Sequence, residues 1–127
     1  MEYARDMFMF SFYSRGMSFV DMAFLKKTDI QYGFLTYRRK KTGQLLSIKW
    51  EQCMQDIIQR YPCDDSIYLL PIVNSTKDNE RTQYRSRQRA INNNLKKIAK
   101  NLGLDCNLTM YVARHSWASA ALEMLIS

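Results

Sequence analysis

The chain has 127 residues, 46% of them hydrophobic and 24% charged, which is enough for one packed domain and argues against wholesale disorder. One histidine excludes a multi-histidine metal centre, and four scattered glycines exclude a Walker or dinucleotide loop. Nineteen Lys and Arg against twelve Asp and Glu give a net charge of +7, which favours a polyanionic partner, most often nucleic acid.

Hydropathy patterning predicts a first helix over Glu2–Tyr13, apolar on most sides in its second half and therefore buried there. Ser14-Arg15-Gly16 breaks it. A second helix follows, with Ser18 and Asp21 as an S-x-x-D capping box and Phe19, Met22, Ala23 and Leu25 as its apolar face. Short strands come next: Ile30–Tyr32, a turn at Tyr32-Gly33, Phe34–Arg39, a hairpin turn at Lys41-Thr42-Gly43-Gln44, and Leu45–Ile48. Glu51–Tyr61 reads as a helix, Ser66–Leu70 as extended, and Asn74–Glu80 as a polar loop. Thr82–Asn101 is a long helix with a seam at Ile91, Leu95, Ile98 and Leu102, stopped by Gly103. A last helix opens at the N-cap Thr109 and runs through Leu122 to the chain end. The fold class this predicts is α+β, mainly α: helices around a small antiparallel sheet, in a single domain over residues 1–127.

The basic charge is segregated. Arg38, Arg39, Lys40, Lys41 and Lys49 share one acid-free window. Arg81, Arg85, Arg87, Arg89, Lys96, Lys97 and Lys100 share another. The two windows hold twelve of the nineteen basic residues, and the rest of the chain is net acidic. A charge run is ordinarily a solvated face; two acid-free windows weigh toward nucleic-acid contact. Arg85, Arg89, Lys96 and Lys100 recur at helical spacing on the face away from the seam.

Arg114 stands apart, in the otherwise small and apolar helix Met110–Ala118, where an arginine must find an anion, a carboxylate or carbonyls. Lys41 either reaches an anion from the hairpin tip or guards an exposed turn. By itself His115 reads as a partly buried helix histidine with a satisfied ring. Three cysteines without C-x-x-C spacing, and a start without a basic leader, point to reduced thiols in a cytosolic protein. No apolar run approaches a membrane span.

Taken in order, these motifs resemble the tyrosine recombinases, or phage-type integrases. Tyr111-Val112-Ala113-Arg114-His115-Ser116-Trp117-Ala118-Ser119 resembles that family's H-x-x-R-H-[ST]-[FW]-A-[ST] box. Residues Ser14 to Leu25 resemble its T-G-x-R-x-S-E-x-x-x-L box, and Lys41-Thr42-Gly43 its lysine-bearing hairpin. The wording of the first-named box is similar to that of mobile-element integrases from Bacteroides-type bacteria. The resemblance implies DNA integration and recombination: a tyrosine attacks a scissile phosphate of double-stranded DNA and forms a 3′-phosphotyrosine. Arginines hold the non-bridging oxygens and the hairpin lysine protonates the leaving 5′ oxygen, a use of fixed donors where charge develops. No metal or other cofactor is implied.

Carried over residue by residue, the catalytic candidates are Arg114 and Lys41, with Lys40 as a competing register. Ser18 occupies the arginine position of the Ser14–Leu25 box, and Arg15, one turn earlier, is the candidate replacement. Asp21 matches the box acid, for which capping is a sufficient role. Tyr111 stands where the family has a histidine; a phenol can donate to a phosphate but is a poor base near neutral pH, and a core aromatic is the commoner fate of a helix tyrosine. Ser18, Arg38, Arg39, Lys40, Arg85, Arg89, Tyr111 and His115 are the DNA-binding candidates. In the family the nucleophilic tyrosine follows the arginine box by some tens of residues, so the resemblance implies a partial catalytic domain. Such a fragment, without the nucleophile segment and the N-terminal DNA-clamping domain, is expected to bind DNA and not to cleave it alone. Recombinase protomers on DNA, dimerisation through Met124-Leu125-Ile126 and a nucleoid-associated cytoplasmic location complete the expectation. The alternatives are a non-catalytic DNA-binding or regulatory module of the same fold, and a basic helical protein that binds RNA or a protein partner.

Overall fold

A computed structural model describes residues 2–62, 65–103, 108–110 and 112. Its elements are α1 (Glu2–Tyr13), α2 (Phe19–Ala23), β1 (Ile30–Gln31), β2 (Phe34–Arg38), β3 (Leu45–Lys49), α3 (Gln52–Gln59) and α4 (Glu80–Asn101). The class is α+β and mainly helical, as the patterning predicts. By internal contact the chain forms two compact units, one of Met1–Phe19 with Ser86–Ser127 and one of Val20–Arg85.

In the first unit, α1 buries Ala4, Met7, Phe10 and Ser11, a three- and four-residue spacing that gives one continuous stripe. Asp6 is also buried, with the Arg5 guanidinium 3.7 Å away. On α4 the buried seam is Ile91, Leu95 and Ala99. Here the expectation is corrected at one end: Leu102 is 69% exposed, because the helix stops at Asn101 and the chain turns at Gly103. The small Ala99, one turn after Leu95, takes the buried place. Asn92 on the same helix accepts a hydrogen bond from the Met110 backbone N–H at 3.1 Å, and Met110 itself is buried. The predicted last helix lies mostly outside the described residues.

The second unit is built on a three-stranded antiparallel sheet in the order β1-β2-β3. Alternation sets its faces. Leu35, Tyr37 and Ile48 are buried, while Phe34, Thr36, Arg38, Leu45, Ser47 and Lys49 are exposed. The turn from β1 to β2 has two residues, Tyr32 (φ 53°) and Gly33 (φ 81°), between the paired Gln31 and Phe34. Positive φ at both central positions is the tight hairpin geometry whose twist suits the strands. The connection from β2 to β3 is longer. The Arg39 N–H donates to Gln44 O at 2.9 Å and the Gly43 N–H to Arg39 O at 2.7 Å, with Gly43 at φ 71° reversing the chain.

Met54 and Ile57 of α3 are buried, with Cys53 and Ile58 half-buried beside them. The helix runs shorter than the pattern suggests: Glu51 is its extended N-cap and Arg60 its C-cap. The predicted extended stretch Ser66–Leu70 pairs with the chain after α2. The Lys27 N–H donates to Ile67 O at 3.0 Å and the Leu69 N–H to Leu25 O at 2.8 Å. One isolated bridge, Lys26 with Tyr68, is all the ladder they form. Ser66 Oγ then ties the following loop, accepting from the Tyr68 and Ser75 N–H groups at 3.2 and 3.1 Å.

Candidate nucleic-acid interface

The basic hairpin is held at its base by residues from the Ser14–Leu25 box. Asp21 on α2 is buried, and its Oδ1 accepts the Lys40 backbone N–H at 2.9 Å. Three residues along, the Phe24 ring carries Lys40 Nζ at 4.8 Å from its centroid. Phe24 itself meets Tyr68 edge-on at 5.7 Å and Tyr84 at 6.1 Å. A charge-assisted hydrogen bond and a cation–π contact therefore fix Lys40 from both its backbone and its side chain. Beyond the expected capping role, the Asp21 carboxylate bridges nineteen positions of chain to the hairpin.

This anchoring separates two lysines that are adjacent in sequence. Lys40 Nζ is drawn onto Phe24. Lys41 is exposed at the tip, in the turn that Gly43 closes. Arg38 Nη1 donates to Gly43 O at 2.9 Å and braces the same turn from the open face of the sheet. Thr42 Oγ1 accepts the Gln44 N–H at 3.3 Å. Arg39 is half-buried, and its backbone N–H and carbonyl both belong to the turn.

Tyr68 supports Phe24 from below. Its hydroxyl donates to Glu80 Oε2 at 2.6 Å, which also fixes the first turn of α4. Burial first, then the hydrogen bond and charge of Glu80, push this hydroxyl up from 10.0 to about 12. Phe24, Tyr68 and Glu80 escaped the sequence reading. An aromatic in an apolar helix reads as core, and nothing in the sequence pairs it with a lysine sixteen positions away.

Arg15 and Ser18 lie in the first unit, at the end of α1. The Gly16 N–H donates to Ser11 O at 2.8 Å and the Arg15 N–H to Phe12 O at 3.2 Å, the two bonds of a Schellman cap. That cap places Arg15 where glycine is usual, at φ 65°. Buried Ser11 and Ser14 lock the corner, through Ser11 Oγ to Met17 O and Ser14 Oγ to Phe10 O, both 2.7 Å. An arginine held left-handed at an exposed, fixed corner costs about 1 kcal/mol. Ser18 is half-buried at the start of α2.

Arg85 and Arg89 are both exposed on α4, as are Arg81, Lys96 and Lys100. At 100° per residue these five fall within an arc of about 100°. Arg114, Tyr111 and His115 lie outside the described residues. Among the described candidates, the structure brings Arg38, Arg39, Lys40 and Lys41 together on one hairpin, and Arg15 with Ser18 on one corner.

Comparison with protein-family models, with curated proteins and with solved structures finds no match. No helix among the described residues is long and apolar enough to cross a membrane.

Proposed function

We propose that the chain is the catalytic-core portion of a tyrosine-type site-specific recombinase, an integrase that holds double-stranded DNA for cleavage and rejoining through a phosphotyrosine. One observation carries the reading: Asp21 and Phe24 of the Ser14–Leu25 box grip Lys40 of the lysine hairpin. The resemblance has the two motifs serve one phosphate, and the contact of Asp21 and Phe24 with Lys40 supports that reading.

In this reading Lys41, exposed beside the anchored Lys40, protonates the leaving 5′ oxygen. Arg114 and Arg15 hold non-bridging oxygens, where fixed guanidinium donors stabilise developing charge. Arg38, Arg39, Lys40, Arg85 and Arg89 hold the DNA backbone, with Ser18, Tyr111 and His115 near the reacting phosphate. Partner protomers would assemble on DNA, in the cytoplasm with the nucleoid, and Met124-Leu125-Ile126 would supply a dimer contact. Ser18 at an arginine position and Tyr111 at a histidine position favour a second reading, a non-catalytic DNA-binding module of the same fold.

A nicked suicide duplex offered to the full-length protein separates the two. A trapped covalent protein–DNA adduct that Lys41→Ala and Arg114→Ala abolish supports the recombinase. Duplex binding without an adduct supports the module, and no duplex binding removes both.

A further inference from the structure

Apart from Arg38, the open face of the sheet and the turn at its other end carry chemistry that duplex binding does not use. Tyr32 is 97% exposed, and it occupies a left-handed position (φ 53°) that asparagine would fill more easily. Two residues on, Phe34 is 50% exposed. Full exposure of an aromatic ring and a left-handed backbone are two separate costs at one residue, and such costs cluster where a side chain has work to do.

The surroundings of these rings select the partner. Lys49 is directly opposite Phe34 across the β2–β3 ladder, so a group stacked on Phe34 has a cation within one side chain of it. Thr36 and Ser47 form the next pair on this face, their hydroxyls 3.1 Å apart. Arg38 stands beyond them, opposite Leu45, about 14 Å from Lys49 at the usual rise per residue. The strand residues exposed on this face of β2 and β3 include no acid. A second copy of the chain would bring Lys49 and Arg38 against like charges, which disfavours self-association here. A polyanion with planar rings satisfies both the cations and the aromatics.

We infer that this face binds an unpaired stretch of nucleic acid, with bases stacked on Tyr32 and Phe34 and phosphates held by Lys49 and Arg38. Bases within a duplex present their faces to one another, so only a single strand can use such rings. The hydroxyl pair gives donors and acceptors to the sugars or base edges. This surface shares only Arg38 with the recombinase reading; its rings, Lys49 and the hydroxyl pair lie outside both the lysine tip and the Arg15 corner.

The test compares a short labelled oligothymidylate with an abasic oligonucleotide of the same length, by fluorescence anisotropy on the full chain. The two probes carry equal charge and differ only in their bases. The wild-type chain should prefer the oligothymidylate by about tenfold. The double variant Tyr32→Asn, Phe34→Thr should lose that preference and keep its affinity for a duplex. Asparagine suits the left-handed turn and threonine suits a strand, so the variant should fold at least as well at the turn, which urea denaturation checks. A wild-type chain without preference, or a variant that retains it, overturns the inference. A substitution that changes the sedimentation coefficient and leaves the preference intact would assign the face to a protein contact and overturn it as well. Duplex affinity, read separately, tests the proposed function, so the two can fail independently.

Discussion

Strand β2 ends in two turns that solve the same problem differently. At one end Tyr32 and Gly33 make the shortest hairpin turn, with an aromatic ring exposed at a strained position. At the other a longer connection from Arg39 to Gln44 gives its left-handed position to Gly43 and presents lysines. The basic end is anchored from outside the sheet by Asp21 and Phe24. At the aromatic end the Trp50 N–H donates to Gly33 O at 2.8 Å, and Gln31 Nε2 donates to Thr28 O at 3.2 Å. One small sheet thus has a basic end gripped by side chains of another element, and an aromatic end whose two-residue turn sets its position.

Breaking the outside anchor should have the largest effect. Asp21→Ala removes a buried acceptor and leaves the Lys40 N–H without it, at a cost of about 2 kcal/mol in urea denaturation. Duplex affinity should fall with it, while the preference for oligothymidylate over the abasic strand should persist. Equal loss at both ends would show that the sheet moves as one body and would erase the contrast.

Tyr68→Phe acts one contact further back. It removes the hydroxyl bond to Glu80 and should cost about 1.5 kcal/mol. Its signature is alkaline. The folded protein holds this hydroxyl protonated up to about 12, whereas the unfolded chain ionises near 10.0. The stabilisation is therefore complete below pH 10 and declines as pH rises toward 12. The stability difference between wild type and Tyr68→Phe should shrink across that interval, measured by denaturation at successive pH values.

Arg15 repeats the logic of Tyr32 in the first unit, an unusual residue at a left-handed position. Arg15→Gly should stabilise the chain by about 1 kcal/mol, since glycine is the favoured residue of a Schellman cap. It should also weaken duplex binding. Greater stability with unchanged DNA affinity would make Arg15 a mere surface residue. The smallest effect belongs to Lys40→Gln, which loses the contact with Phe24 and should cost about 0.5 kcal/mol in thermal denaturation.

Much of the backbone was legible because its signals are local. Glu2–Tyr13 ends where Ser14-Arg15-Gly16 says it should, and Tyr32-Gly33 and Gly43 mark both hairpin turns. Leu102 misled because periodicity continues past a helix end that Gly103 determines. The candidate site was legible as residue types and only partly as geometry. Lys40 and Lys41 look interchangeable in sequence; Phe24 distinguishes them only once α2 and the hairpin meet. Asp21 reads as a cap because its bond to Lys40 joins segments nineteen residues apart, beyond any local pattern.

In the proposed function the hairpin tip binds the phosphates of duplex DNA, and the salt dependence of duplex affinity tests this most directly. Plotted as log association constant against log salt, the wild-type chain should give a steep negative slope. The double variant Arg39→Ser, Lys41→Ser should flatten that slope by about 2, one for each lost phosphate contact. An unchanged slope in the variant, or a flat response in the wild type, would contradict it.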